Sequence, residues 1–213
     1  MSEPGRLVVL ISGSGTNLQA ILDACDQTND HSPTSNDGLG LNAEVVLVIS
    51  SNADAYGNKR AEQAGVPVTV LPFPGDPRSA TSQQRDDYDT QVAYEASVAG
   101  ADLVVLAGWN LLLGPNILSH HTVINLHPAK PGAFPGLGAI KKAYEAWRRG
   151  EVTSGGVMVH YVPDEGVDSG PVIAWEEIDF VSGEDLASYE QRVHTVEHRL
   201  LVEAIGLVLP KLR

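Results

Sequence analysis

Continuous apolar runs alternate with helical patterns along this chain, and no other feature restricts its fold as strongly. Residues 7–11 are all apolar, as in a strand that is buried on both faces. Residues 16–25 follow with apolar side chains at helical spacing. Further strands are predicted at residues 45–49, 68–71, 103–106, 123–126, 156–161 and 172–175, and further helices at 55–64, 81–100, 140–147 and 183–208. The alternation predicts an α/β fold with a Rossmann-like, mainly parallel sheet and helices on both faces.

Length and composition limit the classes of protein that this chain can represent. Its 213 residues suffice for one large domain, and the net charge of −13 provides no basic face for nucleic acid. No apolar run is long enough to span a bilayer, and the start lacks the pattern of a signal peptide. The single cysteine, Cys25, excludes an internal disulfide framework. We therefore expect a cytoplasmic protein that binds neither nucleic acid nor membranes. The polar composition of residues 26–42 separately predicts a surface loop there.

The segment Gly-Ser-Gly-Thr-Asn at residues 13–17 connects the first predicted strand to the first predicted helix. Glycines permit a tight turn, and the exposed N–H groups of a helix N-terminus favour an anion such as phosphate. A dinucleotide site is poorly supported, because Leu18 stands where a third glycine is needed. The residues alone leave two interpretations open: a monophosphate site, or a plain turn that needs glycine for its geometry.

A carboxamide and an imidazole, Asn125 and His127, stand at the end of the strand predicted at residues 123–126. Side chains two residues apart on a strand share a face, so this pair projects into one space. Asp168, in a loop further along the chain, can complete an acid–base set. The combination is typical of an acyl-transfer site. Because no G-x-S-x-G elbow supplies a nucleophile, direct transfer between two bound substrates is favoured.

The other histidines give no comparable signal. His120 and His121 are interpreted as ordinary residues at a helix end, and His160, in an apolar strand, as a hydrogen-bonded structural group. No zinc site is predicted, because neither H-E-x-x-H nor C-x-x-C occurs. By themselves, Asp164 and Glu165 are typical of a solvated turn.

Five segments, in this order, resemble the phosphoribosylglycinamide formyltransferase family, which consists of folate-dependent enzymes of purine synthesis. They are Leu-Ile-Ser-Gly-Ser-Gly-Thr-Asn-Leu-Gln-Ala-Ile at residues 10–21, Leu-Ala-Gly at 106–108, Ile-Asn-Leu-His-Pro at 124–128, Phe-Pro-Gly at 134–136 and Asp-Ser-Gly-Pro-Val-Ile at 168–173. The Asn-x-His-Pro segment with a downstream aspartate is shared by formyltetrahydrofolate-using enzymes generally. The first segment is more specific to the glycinamide enzymes, and the resemblance covers nearly the whole chain.

The resemblance implies a formyltransferase fold and a reaction. The formyl group of 10-formyltetrahydrofolate, a co-substrate, would pass to the amine of glycinamide ribonucleotide, giving formylglycinamide ribonucleotide and tetrahydrofolate without a metal. Asn125, His127 and Asp168 are the implied catalytic residues. Asn125 and a protonated His127 would donate hydrogen bonds to the developing oxyanion, and Asp168 would favour the imidazolium.

Two binding sites are implied as well. The residues expected to bind the ribonucleotide and its phosphate are Gly13, Ser14, Gly15, Thr16, Asn17, Asn110, Pro128, His194 and Glu197. The residues expected to bind the folate are Leu111, Leu112, Leu113, Asn125, Val162, Pro163, Asp164, Glu165 and Asp168. We expect one formyltransferase domain over residues 1–213. Its nucleotide- and phosphate-binding half is expected at about 1–121, and its folate-binding and catalytic half at about 122–213.

The sequence leaves two other functions open. A hydrolase that releases formate from 10-formyltetrahydrofolate would use the same three catalytic side chains with water as the nucleophile. A nucleotide-binding module without chemistry would depend on the turn at residues 13–17 alone. The assembly state is expected to be a monomer or a weak homodimer.

Overall fold

In the computed structural model, which describes residues 3–26 and 40–212, strands and helices alternate along the chain. The strands are β1 (Gly5–Ile11), β2 (Ala43–Ser50), β3 (Val68–Val70), β4 (Leu103–Leu106), β5 (Val123–His127), β6 (Ser154–Tyr161) and β7 (Val172–Asp179). The helices are α1 (Thr16–Asp26), α2 (Tyr56–Gln63), α3 (Ser82–Val98), α4 (Pro115–Leu118), α5 (Ala139–Arg148) and α6 (Leu186–Val208). A short 3₁₀ turn, Leu209–Lys211, follows α6.

The seven described strands form one sheet in the order β3-β2-β1-β4-β5-β6-β7. Strands β1 to β5 pair in parallel, whereas β6 and β7 pair antiparallel to their neighbours. The predicted α/β class and mainly parallel sheet are therefore confirmed. The two antiparallel strands bring residues of β6 directly beside the end of β5, where Asn125 and His127 lie.

The core has two layers, one on each face of the sheet, and β1 contributes to both. Leu7, Val9 and Ile11 pack with α1 and α6, whereas Val8 and Leu10 pack with α3 and α4. All five side chains are completely buried. Burial on both faces explains why this strand is an unbroken apolar run rather than an alternating one.

The predicted elements are all present, and the main differences lie at their ends. The last helix begins at Leu186 rather than at residue 183, because the Asp185 carboxylate accepts a hydrogen bond from the Ser188 N–H and caps it. Strand β7 extends to Asp179, four residues beyond its predicted end. Glu176, Glu177 and Asp179 belong to this added part, and β7 is an edge strand of the sheet. Charged side chains are tolerated in an edge strand because they can reach solvent. The surface loop predicted at 26–42 falls mainly on residues 27–39, outside the described residues.

Strands β1 to β4 lie in the first half of the sequence, and β5 to β7 lie in the second. The two halves share one continuous sheet, because β4 pairs with β5. In the described part of the chain, no helix is both long enough and apolar enough to cross a membrane.

Candidate active site

A cavity of about 420 Å³ lies where strands β1, β4 and β5 end, at the carboxyl edge of the parallel sheet. Ligands of open α/β sheets bind at this edge. The cavity brings together these predicted site residues from both halves of the chain: Gly13, Ser14, Gly15, Thr16, Asn17, Asn110, Leu111, Leu112, Leu113, Asn125, His127, Pro128, Val162, Asp164, Glu165, Asp168, His194 and Glu197. Pro163 does not line it; its side chain is exposed and lies beside Gly170.

Asp168 forms the centre of a polar cluster in this cavity. Its Oδ2 atom accepts a hydrogen bond from the Gly136 N–H at 2.8 Å and lies 3.2 Å from Nδ1 of His127. Its Oδ1 atom accepts from Nδ2 of Asn125 at 3.0 Å. The side chains of His127 and Asp168 are only 5% and 10% exposed, so little solvent screens their interaction. The three predicted catalytic side chains therefore lie in direct contact.

His160 is a fourth member of this cluster, which the sequence interpretation treated as a structural group. Its Nδ1 atom donates to the carbonyl of Tyr161 at 2.8 Å, so in the neutral ring Nε2 is an acceptor. Nε2 lies 3.2 Å from Nδ2 of Asn125 and 3.6 Å from Oδ1 of Asp168. The amide nitrogen of Asn125 is thus already engaged by two partners, and an oxyanion would have to replace one of them.

Asp168 combines an unusual backbone conformation with surroundings that favour its ionised form. Asp168 has a φ of 49°, a left-handed conformation that is uncommon outside glycine and recurs at functional sites. Burial by itself raises the pKa of the Asp168 carboxyl. The nearby His160 ring, the Gly136 N–H and the charge that His127 carries when it is protonated outweigh burial, and they hold this pKa below its usual value. Asp168 is therefore a carboxylate near neutral pH.

The lowered pKa of His127 favours the neutral ring in the free protein near neutral pH, so the protonated His127 expected at the oxyanion would have to form during the reaction. Burial lowers the pKa of the imidazole more than the Asp168 carboxylate and the carbonyls of Ala133 and Phe134 raise it. With its proton on Nδ1 facing Asp168, the ring presents Nε2 as a lone pair. Nε2 is buried and has no hydrogen-bond partner among the described residues. His127 lines the cavity, and Nε2 is a buried acceptor that a substrate would have to reach.

We expect a histidine NMR titration of the free protein to place the pKa of His127 below 6.5 and that of His194 above it. Burial lowers the first, whereas a hydrogen bond to Glu197 raises the second. Asp168→Asn should lower the pKa of His127 further, because it removes the charge that stabilises the imidazolium. A His127 pKa above 6.5, or one that rises in Asp168→Asn, would contradict this account of the cluster.

The turn between β1 and α1 forms the opposite part of the cavity wall. Gly15 has a φ of 71°, and a Cβ atom there would lie 2.5 Å from Cα of Gly57. Only glycine fits both the conformation and the close approach of α2. Oδ1 of Asn17 is buried without a hydrogen-bond partner among the described residues. The turn thus combines glycine geometry with an unpartnered polar atom.

His194 and Glu197 complete this end of the cavity from α6. They are one helical turn apart, and Nδ1 of His194 lies 2.6 Å from Oε2 of Glu197. The Glu197 carboxylate is 6% exposed, and its hydrogen bond raises the pKa of His194. Beside the Gly13–Asn17 turn, the His194 imidazole can therefore donate a hydrogen bond to a ligand, and the Glu197 carboxylate can accept one.

Leu111, Leu112 and Leu113, which are predicted to bind folate, line the cavity and differ in exposure. Leu113 is 5% exposed and packs into the core, whereas Leu112 is 61% exposed. Asp89 fixes this segment, because its carboxylate accepts from the backbone N–H groups of Gly114 at 2.7 Å and Asn116 at 2.8 Å. Among the described residues, no group of histidine, cysteine and acidic side chains could hold a metal ion.

Comparison with known proteins shows which family the chain belongs to. Residues 5–205 match the family described as formyl transferase. The phosphoribosylglycinamide formyltransferase of Schizosaccharomyces pombe is 39% identical over 211 residues, which cover 95% of this chain and 96% of that protein. The enzyme of the same name from Dictyostelium discoideum is 37% identical, over 97% of this chain and 98% of that protein. The chain belongs to the formyl transferase family.

A solved formyl transferase structure also agrees in fold. The glycinamide ribonucleotide transformylase 1 of Symbiobacterium toebii superposes with a TM-score of 0.82 at 36% identity, over 99% of this chain and 90% of that chain. The formyltransferase fold implied by the sequence is therefore confirmed. His160 is the member of the polar cluster that sequence reasoning missed. Antiparallel pairing sets it opposite Asn125, and paired residues of neighbouring strands share a face.

Proposed function

We propose that this formyl transferase moves the formyl group of 10-formyltetrahydrofolate to the amine of glycinamide ribonucleotide, as a step of purine synthesis. The observation that carries the proposal is a single cavity that holds both the Asn125–His127–Asp168 cluster and the Gly13–Asn17 turn. The cluster suits proton transfer during acyl transfer, and the turn suits a phosphate. Relatives at 36–39% identity carry the name of this activity.

In the proposed mechanism, the amine nitrogen of the ribonucleotide attacks the formyl carbon and forms a new C–N bond. Nε2 of His127 accepts a proton from the attacking amine, and the resulting imidazolium is stabilised by the Asp168 carboxylate. Asn125 and the imidazolium donate hydrogen bonds to the oxyanion. The proton then passes to N10 of the folate as the bond between that nitrogen and the formyl carbon breaks, which releases tetrahydrofolate. No covalent enzyme intermediate and no metal take part in these steps.

We assign the ribonucleotide phosphate to the Gly13–Asn17 turn and the ribose to Glu197, with His194, Asn110 and Pro128 beside them. The folate ring is assigned to Leu111, Leu112 and Leu113 together with the segment 162–165. This assignment gives each substrate its own part of the cavity, and it requires the reacting groups to meet at the cluster around Asp168. A single domain over residues 1–213 and a cytoplasmic location remain predictions.

The test follows folate absorbance and product mass with purified protein and 10-formyltetrahydrofolate, with and without glycinamide ribonucleotide. We expect tetrahydrofolate to form only when the ribonucleotide is present, in equal amount to formylglycinamide ribonucleotide. Tetrahydrofolate and formate without the ribonucleotide would instead identify a hydrolase. If neither condition gave turnover, a nucleotide-binding module would become the better description.

Asn17→Ala is expected to raise the KM for the ribonucleotide about tenfold while kcat changes little, because one hydrogen bond to a charged phosphate is lost. The measurement is the initial rate over a range of ribonucleotide concentrations at saturating formyl folate. Gln191→Ala, which removes an exposed carboxamide from α6, serves as the control and should match the wild type. A lower kcat with an unchanged KM in Asn17→Ala would count against the phosphate assignment.

A further inference from the structure

The acidic lining of the cavity would repel the two anionic substrates proposed above. A ribonucleotide phosphate and the carboxylates of a folate are anionic, and the chain carries a net charge of −13. Among the described residues that line the cavity there is neither a lysine nor an arginine, but Asp164, Glu165, Asp168 and Glu197 do line it. The titratable base at the phosphate end is His194, and the Glu197 carboxylate is already paired with it. A permanent and unpaired positive charge for the phosphate must therefore come from outside the lining.

Arg60, on α2, lies directly behind the turn at the phosphate end. Its Nε atom donates to the carbonyl of Ser14 at 2.9 Å, and its Nη1 atom donates to Oε1 of Gln19 at 3.2 Å. The guanidinium also lies over the ring of Tyr56, 5.0 Å from its centroid. Three partners, one each from the turn, α1 and α2, therefore fix the guanidinium in one place.

No carboxylate neutralises Arg60 in the described part of the chain. The nearest acidic group in this chain of contacts is Asp23, which accepts a hydrogen bond from the amide nitrogen of Gln19 at 2.9 Å. The carboxamide of Gln19 thus separates Arg60 from Asp23. On α6, burial lowers the pKa of His198, and the charge of Arg60 adds a smaller effect in the same direction. An uncompensated cation at this place raises the potential on both sides of the turn.

The contacts with α2 orient the backbone of the turn. The carbonyl of Ser14 points to Arg60, and the carbonyl of Gly13 accepts from the Gly57 N–H at 3.1 Å. In a planar trans peptide the C=O and N–H groups point in opposite directions. The N–H groups of Ser14 and Gly15 must therefore point away from α2. Neither donates a hydrogen bond to another described residue, so both are available to an anion.

We propose that Arg60 is the positioning residue of the phosphate end: it fixes the Ser14–Gly15 peptide so that its N–H faces the anion, and it supplies a permanent positive charge that no carboxylate of the lining pairs with. This role rests on the proposed function. It predicts that Arg60 acts on ribonucleotide binding rather than on the chemical step.

The experiment compares the full-length wild type with Arg60→Gln, Arg60→Lys and Lys59→Gln. Lys59 is the matched control, because it is the next residue on α2, is exposed and also lies over the Tyr56 ring, at 5.8 Å from its centroid. Its replacement changes the net charge by the same amount as Arg60→Gln. The readouts are the dissociation constant of ribose 5-phosphate by calorimetry at several salt concentrations, the KM for glycinamide ribonucleotide, kcat and the melting temperature.

We expect Arg60→Gln to weaken ribose 5-phosphate binding and to raise the ribonucleotide KM by about 10- to 100-fold, with little change in kcat or in the KM for the folate. Its binding should also depend less on salt than that of the wild type. The affinity and the KM of Arg60→Lys should lie between those of the wild type and those of Arg60→Gln, because lysine keeps the charge but loses the second donor. Lys59→Gln should match the wild type.

Unchanged ribose 5-phosphate binding in Arg60→Gln would overturn the proposal, as would an equal loss in Lys59→Gln. If Arg60→Gln melts too early to be assayed, a folded Arg60→Lys with wild-type binding and salt dependence would overturn it instead. Failure of the proposed function is a separate outcome. In that case the wild type forms no formylated ribonucleotide. The affinity of Arg60→Gln for ribose 5-phosphate, compared with that of the wild type, still tests the role of Arg60.

Discussion

Asp168→Asn is expected to lower kcat about 10³-fold and to leave the KM for both substrates within a small factor of the wild type. Asparagine keeps the shape of the side chain but removes the charge that would stabilise the imidazolium of His127. It also turns one acceptor atom into a donor in a cluster that already contains the N–H groups of Gly136 and Asn125. Steady-state rates with each substrate varied in turn measure the effect.

The control for this variant is Asp185→Asn, which makes the same chemical change at the N-cap of α6. Asparagine caps helices about as well as aspartate, so this variant should keep normal activity and stability. The melting temperature of Asp168→Asn should show that it is folded when its activity is measured. If folded Asp168→Asn retained a kcat within tenfold of the wild type, Asp168 could not be the partner that drives proton transfer.

His127→Ala is expected to lower kcat by about 10³- to 10⁴-fold, because the change removes both a proton acceptor and a donor to the oxyanion. Binding of each substrate alone should remain close to that of the wild type, since the substrate contacts proposed at the two ends of the cavity are untouched. Single-turnover measurements with the enzyme in excess would separate the loss in chemistry from any change in product release.

His121→Ala is the matched control for His127→Ala. His121 lies outside the cavity, where its Nε2 atom contacts the hydroxyl of Ser97 at 2.9 Å. We expect this variant to have wild-type kcat and KM. Near-normal turnover in His127→Ala would mean that the attacking amine loses its proton to another group, and His160 would then be the nearest imidazole to examine.

The sequence by itself determined the elements of this fold, because their signals are local. The apolar run of residues 7–11 indicates burial on both faces, and the capping box that opens α3 needs only Thr81 and Gln84, three positions apart. The placement of Asn125 and His127 at a strand end also followed from the sequence, since residues two apart share a face. Local patterns of this kind do not depend on how distant segments meet.

Tertiary structure decided which distant groups meet and which charge they carry. His160 lies 35 positions after Asn125 in the sequence, and Asp168 lies 43 positions after it. Both contact Asn125 because of sheet register and loop closure, which no local pattern encodes. The neutral state of His127 depends on burial, and burial is a property of the packed molecule. The contact between Arg60 and the Ser14 carbonyl spans 46 positions and requires α2 to dock against the turn. The sequence thus determined the chemical groups of the site, and long-range packing determined their partners and protonation.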